Sequence, residues 1–280
     1  MDDKHIRFVM SHSEQPIPLA VESIGSNREQ EPVNRPDGYP YYHWLQTARG
    51  EGHIEINGTT YSLPQNHGCL LLPNIPHKYV KEADCWETYY LTFTGAQAAQ
   101  TMSLLGLNRS GIFHWTPQSD LRTLLSVMLE NVRVRYDLTG LDHSVELYRF
   151  LTCLKKQGIT ARTPSIESLL KRLNPLLIEL DRHYANPDLG IDFMAHTVGI
   201  SSRRLTSLFK QSLGLTPYQY LISLRIRKAK ELLLNDRSLS VKSVGEACGF
   251  RDASHFVATF RKYEGLTPEQ FRTGYSLQEK

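Results

Sequence analysis

Gly214-Leu215-Thr216-Pro217 recurs 51 positions later (265 − 214) as Gly265-Leu266-Thr267-Pro268, and this repeat decides the fold of the C-terminal third of the chain. Apolar residues around it repeat at the same spacing: Leu205 with Phe256, Phe209 with Phe260, and Tyr220 with Phe271. Upstream the spacing shortens to 50 (249 − 199) between Gly199 and Gly249, so one residue is inserted near Arg251. Self-similarity at a fixed spacing indicates two copies of one structural element.

Each copy predicts a helix, a tight turn and a second helix. A polar residue that can cap a helix precedes each predicted helix, and a glycine that tolerates left-handed geometry stands at each turn. In chain order these residues are Asp192, Gly199, Ser201, Ser240, Gly249 and Asp252. Leu205, Leu208 and Phe209 then share one face of the second helix in the first copy. Phe256 and Phe260 do the same in the second copy.

Both copies end in a T-x-x-Q capping box with proline at the first helical position, at Thr216 and at Thr267. The helix after the first copy is predicted over residues 217–234, about 27 Å at ~1.5 Å per residue. A rigid connector of this length can place two helix-turn-helix motifs about one turn of DNA apart, ~34 Å. The alternative is a packed scaffold of helical hairpins, but two copies are fewer than such a scaffold usually needs.

The stretch from Phe193 to Arg272 resembles the DNA-binding domain of the AraC/XylS family of transcription regulators. The resemblance is carried by Ala195, Val198-Gly199-Ile200-Ser201, Leu205, Leu208-Phe209-Lys210, Gly214, Thr216-Pro217, Arg225, Ala229, Leu232-Leu233, Ser240-Val241, Ala247-Cys248-Gly249-Phe250, Asp252, Ser254, Phe256, Phe260, Gly265, Thr267-Pro268 and Phe271-Arg272. It implies one all-helical domain whose two recognition helices lie in adjacent segments of the major groove. One departure is Arg204, which stands where an aromatic residue or histidine is usual.

The faces of the two recognition helices that oppose the apolar side chains supply candidate DNA contacts. These are Arg203, Arg204, Thr206, Ser207 and Lys210 in the first copy, and Ala253, Ser254, His255, Ala258 and Arg261 in the second. Arginine can bond guanine with two N–H groups, whereas short side chains suit thymine methyl groups and groove shape. We therefore expect the first motif to supply most hydrogen-bonded base discrimination, with Arg203 best placed for guanine and Lys210 on a phosphate, and the second motif to read thymine methyl groups and shape. The alternative for any one residue is a solvated surface side chain.

Residues 40–95 alternate apolar and polar side chains between glycine and proline turns, which is typical of β-structure. Asn57-Gly58 predicts a hairpin, and Gly50-Glu51-Gly52 predicts a turn. Strands are expected over residues 41–46, 53–56, 59–63, 69–72 and 87–93. Several short strands with such turns favour a sandwich or a barrel.

Three motifs in this region resemble the cupin-like sensor domain of sugar-responsive AraC-type regulators: Arg49-Gly50 with Gly52, Gly68 with Leu71-Leu72-Pro73, and Pro76-His77 with Tyr79. The resemblance implies a pocket in which aromatic faces stack on a sugar and a few polar groups fix its hydroxyls. The positions that match its effector-binding residues are Arg49, His77, Tyr79, Thr88 and Tyr90. The alternative for each is ordinary barrel core or rim.

Two helices are predicted after the strands. The first carries an apolar stripe that is wider than a barrel flank needs, so we predict a homodimer seam at Leu121, Leu125, Met128, Leu129 and Val132. The alternative is that the stripe packs only on the chain's own barrel. A linker over residues 161–168 then separates a ligand-binding and dimerisation domain, 1–160, from the DNA-binding domain, 169–280.

Charge divides between the same halves of the chain. Residues 1–168 hold 15 Lys+Arg and 18 Asp+Glu (15 − 18 = −3), whereas residues 169–280 hold 17 and 11 (17 − 11 = +6). Only the basic half is therefore expected to meet a polyanion. The first residues do not read as a signal peptide, no apolar run approaches the ~20 residues of a membrane helix, and the four cysteines form no C-x-x-C pair. These observations favour a cytoplasmic protein without a membrane partner.

The sequence thus predicts an α+β chain of two domains, a cupin-like β-barrel with two following helices and an all-α domain with two helix-turn-helix motifs. The favoured function is a transcription regulator controlled by a small-molecule effector, with a sugar implied by the resemblance. The expected partners are double-stranded DNA, the effector, a second copy and RNA polymerase. The histidines are scattered without an H-x-H pair, so neither a metal, another cofactor nor catalysis is expected. Two alternatives remain: a metal-dependent cupin enzyme with a DNA-binding tail, and a regulator whose barrel only dimerises.

Overall fold

The structure, a computed structural model, describes residues 5–9, 16–134, 137, 139–161 and 163–276. The chain divides into two compact domains, Met1–Ser168 and Leu169–Lys280. The residues at the start of the chain on which the signal-peptide prediction depends lie partly outside the described residues, as does Arg162 of the predicted linker. Within the part of the chain that is described, no helix is long and apolar enough to cross a bilayer.

The N-terminal domain is built on an antiparallel sheet. Its strands are β1 (His5–Val9), β2 (Ala20–Asn27), β3 (Val33–Arg35), β4 (Tyr42–Ile56), β5 (Thr59–Pro64), β6 (His67–Leu71), β7 (His77–Thr94) and β8 (Gly111–His114). They pair in the order β1-β2-β7-β4-β6-β8, with β3 beside β7 and β5 beside β4. The predicted hairpin is confirmed, because Ile56 pairs with Thr59 across Asn57-Gly58 and both turn residues have positive φ.

The turn predicted at Gly50-Glu51-Gly52 is wrong, because β4 runs through it as one strand. The pairing of β4 with β7 instead shifts register twice, between Thr47 and Arg49 and between Gly50 and Gly52. Gly50 has φ +76°, and a Cβ on it would overlap the carbonyl oxygen of Cys85. Such bulges bend a strand and increase its twist.

These bends divide the sheet into two halves that face each other. The first part of β4 pairs with β6 and the end of β7, whereas its last part pairs with β5 and the start of β7. Side chains from both halves meet in one buried apolar core: Leu45, Ile54, Ile56, Leu63, Cys69, Leu71, Tyr79 and Trp86. Alternate side chains point the other way, so Trp44, Leu91 and Phe93 pack against helices. The predicted cupin-like architecture with following helices is therefore confirmed.

The helices of this domain are α1 (Ala98–Leu104), α2 (Leu121–Val134) and α3 (Leu141–Gln157). Leu121, Leu125, Met128 and Leu129 are buried in the core that the helices form with the sheet, and Val132 is half-buried against the same core. The stripe on α2 is wide because both α3 and the sheet cover it. The four buried leucine and methionine side chains have no surface left for a second copy, so the seam predicted at them is corrected to an internal interface, against which Val132 also packs.

The C-terminal domain is all helical. Its helices are α4 (Ile166–His183), α5 (Ile191–Thr197), α6 (Ser202–Leu213), α7 (Pro217–Asn235), α8 (Val241–Ala247), α9 (Ala253–Glu264) and α10 (Pro268–Ser276). Helix α4 begins inside the predicted linker, and its leucine stripe was not part of the repeat. Helices α5 and α6 form the first helix-turn-helix motif, and α8 and α9 form the second. Both T-x-x-Q boxes form, at Thr216 and at Thr267.

Three of the four predicted caps form. Ser201, Ser240 and Asp252 each accept a hydrogen bond from a backbone N–H three residues further on. Asp192 is not a cap, because α5 begins one residue before it, at Ile191 after Gly190. The Asp192 carboxylate instead accepts a hydrogen bond from Ser202 Oγ at 2.9 Å, and so ties α5 to the start of α6.

Candidate nucleic-acid interface and effector pocket

Polar side chains gather inside the barrel around His43 of β4 and His77 of β7, both of which are buried. Their ring centroids lie 5.8 Å apart, and the rings of Tyr79 and Tyr90 lie 6.4 and 6.5 Å from the His43 ring. Arg35 of β3 joins them, with Nη1 3.4 Å from His43 Nδ1. We call these five residues the interior cluster. Aromatic walls with a few polar groups are what a small-molecule pocket needs.

His77 carries a buried hydrogen-bond acceptor that no described residue uses. Burial, together with the charge of Arg35, lowers the pKa of His77 against the opposing effect of its backbone hydrogen bond, so the ring is neutral at pH 7. Its Nδ1 lies 2.7 Å from the carbonyl oxygen of Ile75 and therefore carries the proton. The Nε2 lone pair is then left buried without a partner among the described residues. Such atoms are rare in folded proteins, so this one points to a ligand that donates a hydrogen bond.

His43 is the complementary group. Burial, and after it the charges of Arg35 and His77, hold the pKa of His43 well below its usual value. Since Arg35 donates to Nδ1, the proton of this neutral ring is on Nε2. His43 thus offers a donor and His77 an acceptor. A ligand hydroxyl group can accept a hydrogen bond from the first and donate its own proton to the second.

A buried carboxylate, Glu22, is linked to Arg35 through Tyr39. Glu22 Oε2 accepts hydrogen bonds from the hydroxyls of Ser23, Thr92 and Tyr39, at 2.8, 2.5 and 3.1 Å. The guanidinium of Arg35 lies 4.3 Å from the centroid of the Tyr39 ring. Tyr39 therefore contacts Arg35 with its ring and Glu22 with its hydroxyl. With both histidines neutral, Arg35 and Glu22 bring groups of opposite charge to this part of the described structure. A ligand with a net charge would leave a buried charge uncompensated, which is costly.

The predicted effector residues do not all reach this interior. His77, Tyr79 and Tyr90 belong to the interior cluster. Thr88 is buried, but its hydroxyl donates to Gln30 Oε1 at 2.7 Å. Arg49 lies outside, with its side chain 73% exposed and 3.7 Å from Glu87. The register shift just before Arg49 turns its side chain away from the interior, which corrects the prediction for that residue.

Sequence reasoning missed Arg35, His43 and Glu22. For His43 a signal was present, because strand alternation places it on the same face as Leu45 and Thr47. Arg35 lies on a strand of three residues, which is too short to show alternation. Glu22 lies at a register shift between Val21 and Ser23, and this bulge breaks the alternation that would have placed it.

The first recognition helix, α6, turns its long polar side chains to solvent. Arg203, Arg204, Ser207 and Lys210 are exposed, while Thr206 is half-buried and donates to the carbonyl of Ser202 at 2.9 Å. Arg203, Arg204 and Lys210 form no ion pair with a described residue. They are free for phosphate oxygens and base edges.

The second recognition helix, α9, borders an open groove of about 740 Å³. The groove is lined by Ala253, Ser254, Val257, Ala258, Arg261, Lys262 and Thr267. His255 is exposed beside it, with its ring 5.7 Å from that of Phe250. Ala253, Ser254 and Ala258 have short side chains, so the first turns of the helix can approach another molecule closely, while Arg261 and Lys262 lie further along it. Across the described ranges, no three His, Cys, Asp or Glu side chains are grouped in a way that could hold a metal ion.

Comparison with known proteins assigns both halves of the chain. The family described as AraC-like ligand binding domain matches residues 20–148, and the family described as helix-turn-helix domain matches residues 194–274. The HTH-type transcriptional activator RhaS of Escherichia fergusonii is 32% identical over 248 residues, which cover 84% of this chain and 86% of RhaS. The chain belongs to the AraC family. RhaS of Escherichia coli O1:K1 is 26% identical over 275 residues, or 94% of this chain and 96% of RhaS.

Two solved AraC-type domains are similar to the C-terminal part of the chain. One, from Chromobacterium violaceum, is 34% identical and covers 38% of this chain and 94% of its own, with a TM-score of 0.36. The other is the DNA-binding domain of AdpA in complex with a target DNA, which is 26% identical and covers 38% of this chain and 95% of its own, with a TM-score of 0.36.

The chain is therefore an AraC-type transcription regulator with an N-terminal ligand-binding domain and a C-terminal helix-turn-helix domain that binds DNA. The predicted family is confirmed for both halves. The relatives are transcription regulators rather than enzymes.

Proposed function

We propose that this AraC-family regulator is controlled by a neutral, polyhydroxylated effector of the sugar class, bound at the interior cluster. The observation that carries the proposal is the buried, unpartnered Nε2 of His77, which can accept a hydrogen bond from a ligand hydroxyl. His43 supplies a donor, and the rings of Tyr79 and Tyr90 supply faces for the C–H side of a sugar. The charges of Arg35 and Glu22 favour an effector without net charge.

Thermal melts of the full chain against a panel of neutral sugars test this proposal, with the matching sugar acids and sugar phosphates as a second arm. A ligand that binds only the folded state stabilises it by about 2.7 kcal/mol at one hundred times its Kd. We expect one or a few neutral sugars to raise the melting temperature and their anionic counterparts to fail. Stabilisation by the anionic compounds alone would contradict the charge argument.

A matched pair of variants tests the role of His77. His77→Phe keeps an aromatic ring of similar shape but removes the Nε2 acceptor, so it should abolish the sugar-induced shift in melting temperature. His67→Phe makes the same change on strand β6, at a ring that is 5.4 Å from His114 and outside the interior cluster, and it should retain the shift. An unchanged response in His77→Phe would remove the central support of the proposal.

Acid should weaken effector binding through the same atom. The pKa of folded His77 lies below its usual value, so the ring is mainly neutral at neutral and alkaline pH and affinity should change little there. As the pH falls through the folded pKa, Nε2 gains a proton and becomes a donor, so a ligand hydroxyl loses its acceptor. Calorimetric titration between pH 7.5 and 5 should show affinity falling only toward the acid end.

We further propose that the exposed polar side chains of α6 and the groove along α9 form the DNA-binding surface. Arg203, Arg204 and Lys210 are free to neutralise phosphates, and affinity should then fall steeply with salt as counterions are released. Selection of binding sites from random DNA by the full chain, followed by titration at increasing salt, tests this. A chain that selects no sequence would contradict the proposal.

A second copy of the chain is also a proposed partner, through exposed apolar side chains on α2 and α3 rather than the buried stripe. Val127, Val145 and Tyr148 are exposed, and Tyr148 shows 52% of its surface. Sedimentation at micromolar concentration should give a dimer. Val145→Glu should weaken this dimer, whereas Leu104→Glu, at an exposed site on α1, should leave it unchanged.

Because RhaS is a transcriptional activator, RNA polymerase is also a proposed partner.

A further inference from the structure

The loop between α4 and α5, residues 184–190, lies between the two helix-turn-helix motifs. Tyr184 is half-buried and packs against the apolar cores of both motifs. The core of the first motif includes Leu205 and Phe209, and that of the second includes Phe256 and Phe260. This loop is therefore a place where the position of one motif can be fixed against the other.

Arg225 fastens the connector helix α7 to this loop. Its side chain is only 5% exposed, and its Nε and Nη2 donate hydrogen bonds to the carbonyl oxygens of Tyr184 and Asn186 at 2.8 and 2.7 Å. The guanidinium also lies 5.9 Å from the centroid of the Phe250 ring, which belongs to the second motif. The planar guanidinium presents its donors in a fixed fork, so two such bonds fix orientation as well as distance.

The turn of the second motif closes against the same loop. Gly249 has φ +81°, and a Cβ on it would lie 2.7 Å from the carbonyl oxygen of Tyr184 and 3.0 Å from the carbonyl carbon of Ala185. Arg251, the residue that the second copy has in excess of the first, pairs with Asp188 of the loop. The equivalent turn of the first motif, at Gly199, would meet nothing within 4 Å.

We propose that Arg225 is a positioning residue that locks the two motifs at one separation, so that the chain reads two DNA subsites only at a fixed spacing. The inference rests on the proposed DNA-binding surface and deepens it. A locked pair of motifs binds its second subsite without a further ordering cost, which raises affinity for a matched two-part site. The same lock excludes sites in which the subsites are shifted, since one base pair moves the second subsite by about 3.4 Å.

The test uses the full chain and three DNA duplexes built on its selected site: the intact site, the site with one base pair inserted between the subsites, and the site with its second subsite scrambled. Arg225→Met removes both hydrogen bonds at nearly constant volume. Arg227→Met is the matched control, because Arg227 lies on the same helix but is exposed and pairs with Asp181 of α4. Thermal melts of each variant report folding separately.

The wild-type chain and Arg227→Met should lose about tenfold or more in affinity on the one-base-pair insertion. Arg225→Met should bind the intact site more weakly, discriminate against the insertion by less than about threefold, and bind the scrambled site as the wild type does. Equal losses by Arg225→Met on all three duplexes, or unchanged spacing discrimination, would overturn the inference.

A second variant covers the case in which Arg225→Met does not fold. Arg225→Lys keeps the charge and the aliphatic stem but cannot present the two-pronged fork, so its discrimination against the one-base-pair insertion should be weaker than that of the wild-type chain. Discrimination equal to that of the wild type would likewise overturn the inference. Absence of sequence-specific binding by the wild-type chain is a different result, which would contradict the proposed function itself.

Discussion

In the first helix-turn-helix motif the turn glycine, Gly199, has open space where a side chain would stand, whereas its counterpart Gly249 is closed in by the backbone of the α4–α5 loop. Both glycines have positive φ, +65° and +81°, because both turns follow the end of a short helix. Glycine is thus needed in the first motif for chain reversal alone. In the second motif it is also needed for close packing.

The buried side chains of the two motifs differ in size at two matching positions: one is smaller in the second motif and the other is larger. The first motif has Ala195 on α5 and Leu205 on α6, while the equivalent positions of the second are Gly245 and Phe256. All four are buried. A Cβ on Gly245 would lie only 2.9 Å from Phe256 Cδ1, so the larger ring requires the missing side chain. The duplicated backbone is retained because total core volume, rather than residue identity, is conserved between the copies.

The largest expected difference between the motifs concerns their turns. Gly199→Ala should cost about 1 kcal/mol, since only left-handed strain opposes it, whereas Gly249→Ala should cost about 3 kcal/mol because its Cβ also meets the Tyr184 backbone. Urea unfolding of the full chain, with hydrogen exchange of α8 and α9 to locate the change, measures both. Equal losses of unfolding free energy in the two variants would contradict the proposed difference between the two turns.

The second expected difference is in base reading. Arg203→Ala should lose roughly 1–3 kcal/mol of discrimination at one or two base pairs, because it removes the arginine best placed to bond guanine. Ser254 holds the matching position in the second motif, and Ser254→Ala should lose less because it removes only a hydroxyl. Binding-site selection with both variants decides this. A larger change in the sequence selected by Ser254→Ala would reverse the proposed division of roles.

The sequence predicted the helix-turn-helix motifs well because their geometry is local. Caps at Ser201, Ser240 and Asp252 and glycines at the turns act over three or four residues, so spacing alone reveals them. The cap predicted at Asp192 lies two residues too late because Gly190 also serves as a helix start, and nothing local separates the two. Helix α4 was missed because it lies outside the repeat.

The barrel interior was less predictable because its geometry depends on pairing between distant strands. Arg49 was assigned to the pocket from a motif, yet one register shift turns it to solvent. His43 and Glu22 enter the interior from strands whose partners are far along the chain, with β2 and β4 both paired to β7. The buried stripe of α2 looked like a seam because helical periodicity does not say which neighbour covers a face.

The volume exchange between the motifs predicts a third effect. Gly245→Ala alone should cost about 2 kcal/mol through overpacking against Phe256, and Phe256→Leu alone should cost a similar amount through the space it leaves. The double variant recreates the Ala195–Leu205 pair of the first motif, so it should cost well below the sum. A double-mutant cycle by urea unfolding measures this coupling. Additive costs would mean that the two sites do not compensate.

The smallest expected difference is between the caps of the two recognition helices. Asp252 Oδ1 accepts from the His255 N–H at 2.7 Å, whereas Ser201 Oγ accepts from the Arg204 N–H at 3.3 Å. A carboxylate near a helix N-terminus also interacts favourably with the helix dipole, which a hydroxyl does not do to the same degree. Asp252→Ala should therefore cost about 1.5 kcal/mol and Ser201→Ala about 0.5 kcal/mol.

Salt separates the two contributions to this cap difference. The dipole part of the Asp252 effect is screened by ions, so the gap between Asp252→Ala and Ser201→Ala should narrow as ionic strength rises. Asp252→Asn keeps an accepting oxygen without the charge, and its stability should lie between those of the wild type and Asp252→Ala at low salt. If Asp252→Asn instead matches the wild type at every salt concentration, hydrogen-bond geometry alone accounts for the stronger cap of the second motif.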